Sequence, residues 1–201
     1  FMGLVGSEMC IRDSARPGCR TRGVVDSAPL AEREFAARAG LGWFGKNTML
    51  IDRGAGSYFF LSGLLTTVSF PVDYPVKVDH CGTCTACLDI CPTNALPEPR
   101  VLDANRCISA LTIEDHGPIA ESFRPHLGNW IFGCDLCQEV CPWNRHAPGT
   151  EDPELQSMEN EEMPSLVELL SLDKSAFREK FHGSPILRAK RVGLLLSLIH
   201  I

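Results

Sequence analysis

The sequence has 201 residues, a net charge of −6 and 44% hydrophobic residues. That is enough apolar chain to bury a core as one domain or two small ones, which excludes a wholly disordered protein. No apolar run approaches the ~20 residues that span a bilayer, so no membrane partner is expected. The acidic balance argues against a general nucleic-acid binder while leaving room for a local basic patch.

Residues 1–14 (FMGLVGSEMCIRDS) and 195–201 (LLSLIHI) match no continuation of their neighbours. They read as non-native read-through and are set aside from fold reasoning, Cys10 with them. Val24-Val25 predicts a short strand after Arg16, Arg20 and Arg22. Ser27 is placed to cap a helix whose first turn tolerates Pro29, and Ala31, Phe35 and Ala39 fall on one helical face. Gly40 predicts a left-handed stop to that helix. The run Gly40-Leu-Gly42-Trp43-Phe44-Gly45-Lys46-Asn47 then holds three glycines in six residues, which permits a tight loop and close approach of backbone to a ligand. It is not the dinucleotide fingerprint, because it follows a helix rather than a strand. Thr48–Ile51, Tyr58–Phe60 and Leu64–Phe70 predict strands, the first two joined by a turn at Gly54-Ala-Gly56. Residues 15–72 therefore read as part of an α/β domain. Pro71, Pro75 and the charged Asp73, Lys77 and Asp79 mark the passage to a second unit, 73–147.

Eight of the ten cysteines lie in that second unit. Cys81, Cys84, Cys87 and Cys91-Pro92 follow the spacing C-x2-C-x2-C-x3-C-P. Cys107 stands alone, and Cys134, Cys137 and Cys141-Pro142 repeat the C-x2-C-x3-C-P half. Three cysteines within seven residues are poor disulfide partners for one another but good ligands, and they point to a reducing, cytoplasmic setting. The pattern is that by which bacterial ferredoxins hold two [4Fe–4S] clusters, the last cysteine of each group crossing to the other cluster. Cys81, Cys84, Cys87 and Cys141 would hold cluster 1. Cys134, Cys137 and Cys91 would hold cluster 2, with Cys107 as the remaining candidate for its fourth ligand. Zinc fits C-x2-C pairs but leaves the third cysteine of the first group and the repeated C-x3-C-P unexplained.

Residues 148–194 predict an acidic, proline-bounded connection followed by helices. Ser165–Leu172 is expected to bury Leu166, Leu169 and Leu170. Asp173 caps a second helix through Phe177 and Phe181, and Ser184-Pro185 opens a third. Arg178, Lys180, Arg188, Lys190 and Arg191 make this end basic. The whole is expected to be α+β, with the clusters serving as an internal wire rather than the entire function.

Taken together, Val25-Asp26-Ser27-Ala28-Pro29, the Gly40–Asn47 run and the cysteine groups resemble the epoxyqueuosine reductases, cobalamin-dependent iron–sulfur enzymes of tRNA modification. So do Arg106-Cys-Ile-Ser-Ala-Leu-Thr-Ile-Glu114, Ile131-Phe-Gly-Cys-Asp-Leu-Cys-Gln138, Val140-Cys-Pro-Trp-Asn144 and Gly183-Ser-Pro-Ile-Leu-Arg-Ala-Lys-Arg-Val-Gly193. The resemblance runs from about Val24 to Gly193, and the family extends well before it. It implies that 15–72 is the C-terminal part of a cobalamin-binding domain and 73–147 a ferredoxin-like domain, followed by the short helical segment. It implies reduction of epoxyqueuosine to queuosine at the tRNA wobble position, with electrons passing through two [4Fe–4S] clusters to cobalamin. It places a cluster 2 ligand at Cys107 and the proton-donating carboxyl at Asp26, a role that burial beside the corrin would favour. Lys46, Asn47, Ser109 and Thr112 are implied near the cofactor. The basic Arg188, Lys190 and Arg191 are the candidate tRNA contacts. A low-potential electron donor and a monomeric state complete the expectation. The competing readings are a cobalamin-dependent reductive dehalogenase and a ferredoxin-like electron-transfer subunit.

Overall fold

Residues 18, 20–26, 28–115, 117–149 and 164–199 are described by the structure, a computed structural model. Ser27, the expected helix cap, lies outside them, as do residues 1–14, 200–201 and most of the acidic connection. Strand β1 (Thr21–Val24) pairs antiparallel with β4 (Gly63–Thr66), Thr21 opposite Thr66 and Val24 opposite Gly63. Between them come helix α1 (Glu32–Arg38) and the short antiparallel pair β2 (Trp43–Phe44) and β3 (Leu50–Ile51). An α/β domain rests on parallel strands. Both two-stranded sheets among the described residues are antiparallel, in keeping with the α+β class.

Helix α1 begins at Glu32, later than the Ser27-Pro29 signal predicts, and Ala36 is its buried residue while Phe35 is exposed. Gly40 ends it at φ 75°, as glycine can and other residues rarely do. Tyr58–Phe60 forms no strand; Tyr58 and Phe60 stand exposed. What fixes this stretch is the tight turn before it, where Asp52 and Gly56 pair their backbones and Asp52 Oδ1 accepts from Gly54 N and Ala55 N.

The cysteine region contains little regular structure. It holds α2 (Ala86–Asp89), α3 (Ile108–Ile113), α4 (Arg124–Leu127), α5 (Leu136–Glu139) and a 3-10 turn at Pro142–Asn144. Ile108, Leu111, Ile119 and Leu127 form the core of the insertion between Cys107 and Cys134, with Phe123 and Trp130 packed against it.

At the C-terminal side, α6 (Leu166–Ser171) has a full capping box. Ser165 Oγ accepts from Glu168 N, and Glu168 reaches back to Ser165 N. Asp173 caps α7 (Lys174–Lys180) as expected, and Ser184 opens a 3-10 turn at Pro185–Ala189 that leads into α8 (Lys190–Leu198). Leu169, Phe177, Leu194 and Leu198 form a separate core. Leu166 and Leu170, expected to be buried with Leu169, are exposed. Leu198, from the stretch set aside as read-through, packs inside that core. Among the described residues no helix is long and apolar enough to cross a membrane.

Candidate metal centre

Both cysteine groups use the same local device. Cys84 N donates to Cys81 O, and the chain turns directly into α2, which carries Cys87. In the second group Cys134 precedes α5, Cys137 lies within it, and Cys141 opens the following 3-10 turn. Helices α2 and α5 pack against each other, which brings the last cysteine of each group to the other's side.

Two cavities result. Cys81, Cys84, Cys87 and Cys141 wall one of about 240 Å³. Cys91, Cys107, Cys134 and Cys137 wall the other, of about 220 Å³. This is the four-and-four division predicted from the spacing, with Cys107 in the second set.

Burial dominates the electrostatics of both groups. Burial pushes the Cys137 thiol up to about 12, and the neighbouring Cys134 and Cys107 add to it. Burial also raises Cys87, with Cys141 and Cys81 contributing, and Cys141, with Cys81 and Cys84 contributing. Cys134 is raised by burial and then by Cys107 and Cys91. Thiols become metal ligands only as thiolates, so each cavity needs positive charge inside it. Among the described residues no three His, Cys, Asp or Glu side chains converge closely enough for one metal ion. Four thiols ringing a cavity of this size suit a multi-atom iron–sulfur core better than zinc, which draws sulfurs to about 2.3 Å.

The glycines of the Gly40–Asn47 run pack closely against protein, while Lys46 and Asn47 at its end line the cysteine cavities. A Cβ on Gly42 would meet the carbonyl of Ile51, and one on Gly45 would meet the side chains of Ile51 and Asn47. The loop delivers Lys46, whose Nζ donates to Gly82 O and Cys84 O at 2.8 Å each. It also delivers Asn47, whose Nδ2 donates to Cys137 O at 3.1 Å. Trp43, His80 and Trp143 stack edge to face beside the first cavity, with centroids 4.7 to 5.7 Å apart. Trp43 packs with Cys81 and Cys141, and its indole N–H is buried without a partner.

Residues 80–144 match the 4Fe-4S double cluster binding domain. The epoxyqueuosine reductase of Xanthomonas campestris pv. campestris is 50% identical over 165 residues, covering 82% of this chain and 46% of that protein. The chain is a relative of the epoxyqueuosine reductases. It spans about half the length of the curated relatives it matches. A crystal structure of selenomethionine-labelled epoxyqueuosine reductase superposes with TM-score 0.85 at 39% identity, over 94% of this chain and 51% of that one. A second crystal structure, of epoxyqueuosine reductase with an epoxyqueuosine-modified tRNA-Tyr stem loop, gives TM-score 0.83 at 35% identity, over 98% and 54%.

The other residues expected from the epoxyqueuosine reductase resemblance fall in different places. Asp26 sits at φ 46°, exposed rather than buried, with its carboxylate 3.1 Å from Arg188 Nη1. Arg188 also pairs with Glu114 at 2.9 Å. Ser109 lines the second cysteine cavity. Thr112 is buried, its Oγ1 donating to Ile108 O at 2.8 Å and accepting from Gly133 N at 2.9 Å, so it fixes the backbone just before Cys134. Arg191 Nε donates to Leu172 O, whereas Lys190 is exposed. Of the five side chains expected near cobalamin, Lys46, Asn47 and Thr112 are thus committed to the protein itself. The described residues do not by themselves build a corrin site, while the two cavities fit the clusters.

One group escaped the sequence reading. Asn144 Nδ2 donates to Ser57 Oγ at 2.9 Å and Gln138 O at 2.8 Å, while its Oδ1 accepts from Ser57 N at 2.6 Å. Ser57 Oγ donates in turn to Gln138 Oε1 at 2.9 Å. This network ties the Asp52–Gly56 turn to the second cysteine group. The C-P-W-N run contains its central residue, but nothing local announces Ser57 as the partner.

Proposed function

We propose that this chain is the cluster-bearing half of an enzyme that reduces epoxyqueuosine to queuosine at the wobble position of tRNA. The observation that carries it is the resolution of eight cysteines into two four-thiol cavities within a sequence half identical to an epoxyqueuosine reductase. The relative solved with a modified tRNA stem loop supports the substrate class. The net change converts the epoxide to an alkene, consuming two electrons and two protons and releasing the oxygen as water.

In this reading Cys81, Cys84, Cys87 and Cys141 hold one [4Fe–4S] cluster, and Cys91, Cys107, Cys134 and Cys137 hold the other. When bound, the clusters supply electrons one at a time. Cobalamin belongs to the proposal through kinship alone, and no step is assigned to it here. Asp26 donates a proton to the reacting epoxide. The ion pair with Arg188 uses the charged carboxylate and donation uses the protonated one, so Asp26 parts from Arg188 to act. Lys190, together with the exposed Arg178 and Lys180, is the proposed phosphate-contacting surface, since Arg188 and Arg191 are engaged within the protein. The remaining partner is a low-potential electron donor, and the protein works as a cytoplasmic monomer.

The test is an anaerobic assay of the protein at the full length of its relatives, loaded with clusters and cobalamin. A chemical reductant and tRNA containing epoxyqueuosine are added, and nucleosides are read by mass spectrometry. Queuosine formation is expected. Its absence from a fully loaded sample overturns the proposal.

A further inference from the structure

One dipeptide from outside the cysteine region stands against both cysteine cavities. Lys46 lines the first, and its ammonium holds the carbonyls of Gly82 and Cys84 on either side of that cluster loop. Asn47 is only 4% exposed and lines both cavities. Its amide is oriented by two opposed bonds, Nδ2 to Cys137 O at 3.1 Å and Oδ1 from Met49 N at 3.2 Å. The backbone that carries the pair is pinned as well, because Lys46 O accepts from Arg100 N at 2.9 Å.

We infer that Lys46 and Asn47 are positioning residues of the electron relay, Lys46 acting on the first cluster and Asn47 on both. The inference rests on the cavities holding [4Fe–4S] clusters. Each cluster gains one negative charge when it takes an electron, so a nearby cation or donated hydrogen bond favours its reduced form. Lys46 places its charge at the loop between the first two ligands of cluster 1. The second cavity has charges of its own, Arg33 and Asp135, and lacks Lys46 from its wall. Asn47 is neutral and sits in the partition, where a charge would act in both directions. By bonding Cys137 O from a loop that also grips Gly82 and Cys84, the dipeptide fixes how far apart the two clusters stand.

The experiment is a redox titration of the cluster-loaded protein followed by electron paramagnetic resonance, with Cys84→Ser marking which signal belongs to cluster 1. Lys46→Met is expected to shift the cluster 1 midpoint to lower potential and leave cluster 2 in place. Asn47→Asp is expected to lower both. Equal shifts or none in Lys46→Met, or a shift of one cluster alone in Asn47→Asp, would overturn the inference. Should Asn47→Asp fail to load, Asn47→Leu serves instead, read by the magnetic interaction between the two reduced clusters. A changed splitting supports the inference and an unchanged one overturns it. Iron content separates this outcome from failure of the cluster reading itself. Wild type must hold about eight irons per chain, two clusters of four.

Discussion

Asp26 is a non-glycine residue held in the left-handed region, a conformation costing on the order of 1 kcal/mol unless the surroundings fix it. Its partner is the guanidinium of Arg188. In the proposed function that conformation aims the carboxyl outward from the β1 end. Asp26→Asn keeps the shape and removes the transferable proton. It is expected to leave the visible absorption of the clusters unchanged while lowering turnover by about 100-fold or more; retained turnover would remove Asp26 as the donor. Gly56 gives a purely structural counterpart. It lies at φ 71°, and a Cβ there would run into Asn144 Oδ1 and the carbonyl of Trp143. Gly56→Ala combines a disfavoured backbone with damage to the Ser57–Asn144–Gln138 network. We expect a loss of roughly 2 kcal/mol or more, read as a lower urea midpoint of the cluster-loaded protein.

At the scale of elements, Arg188 ties three segments that are remote in sequence: the 3-10 turn before α8, the end of α3 at Glu114, and the Asp26 loop. All three side chains are about half exposed or more, so the pairs contribute less than about 1 kcal/mol to stability. Arg188→Ala should therefore change the unfolding midpoint little, and because it frees the Asp26 carboxyl it should not lower turnover; a clear loss of turnover would mean that Arg188 does more than pair with Asp26. The caps of the C-terminal helices are pH devices of known sign. Hydrogen bonds from Ser165 hold the Glu168 carboxyl below its usual range, and those from Ser175 and Ala176 do the same for Asp173. Both groups have folded values below their unfolded ones, so their contribution is present above the unfolded carboxylate range and is lost as pH falls through the folded values. Amide protection in α6 and α7 should fade under acid, below about pH 4, and Asp173→Asn should flatten that dependence for α7. The Asp173 cap could be read from the sequence because a cap is a local pattern. Cysteine spacing was equally legible, since ligand geometry restricts it. The burial of Leu169 without Leu166 or Leu170 was not. Which face of a six-residue helix is covered depends on Phe177, Leu194 and Leu198, which come from two other elements. What the glycines of the Gly40–Asn47 run pack against was hidden for the same reason. Their close approaches are to Ile51 and Asn47 and to the carbonyl of Tyr74, contacts that only the folded chain reveals.

On the scale of the whole molecule, the two cavities lie at the junctions of its hydrophobic cores. Cys134 packs on the core of Ile108, Leu111, Ile119 and Leu127, while Cys81 and Cys141 pack with Trp43 and Ile51. The helices between these cores, α2 and α5, have four residues each, too short to be stable alone. Emptied and kept dry, cavities of about 240 and 220 Å³ would cost on the order of 5 kcal/mol each. That sum rivals the whole stability of an ordinary domain. Flooding them with water would bring solvent to the Trp43–Trp143 stack instead. Either way the region between residues 80 and 144 should not survive loss of its clusters, whereas α6, α7 and α8 share a core of their own. Oxidation in air with a chelator is therefore expected to abolish the near-ultraviolet circular dichroism of the tryptophans and expose the cysteine region to protease. Amide protection in the C-terminal helices should persist. An unchanged tryptophan signal in iron-free protein would mean that the cavities stand without their contents, and that the clusters are guests of the fold rather than part of its core.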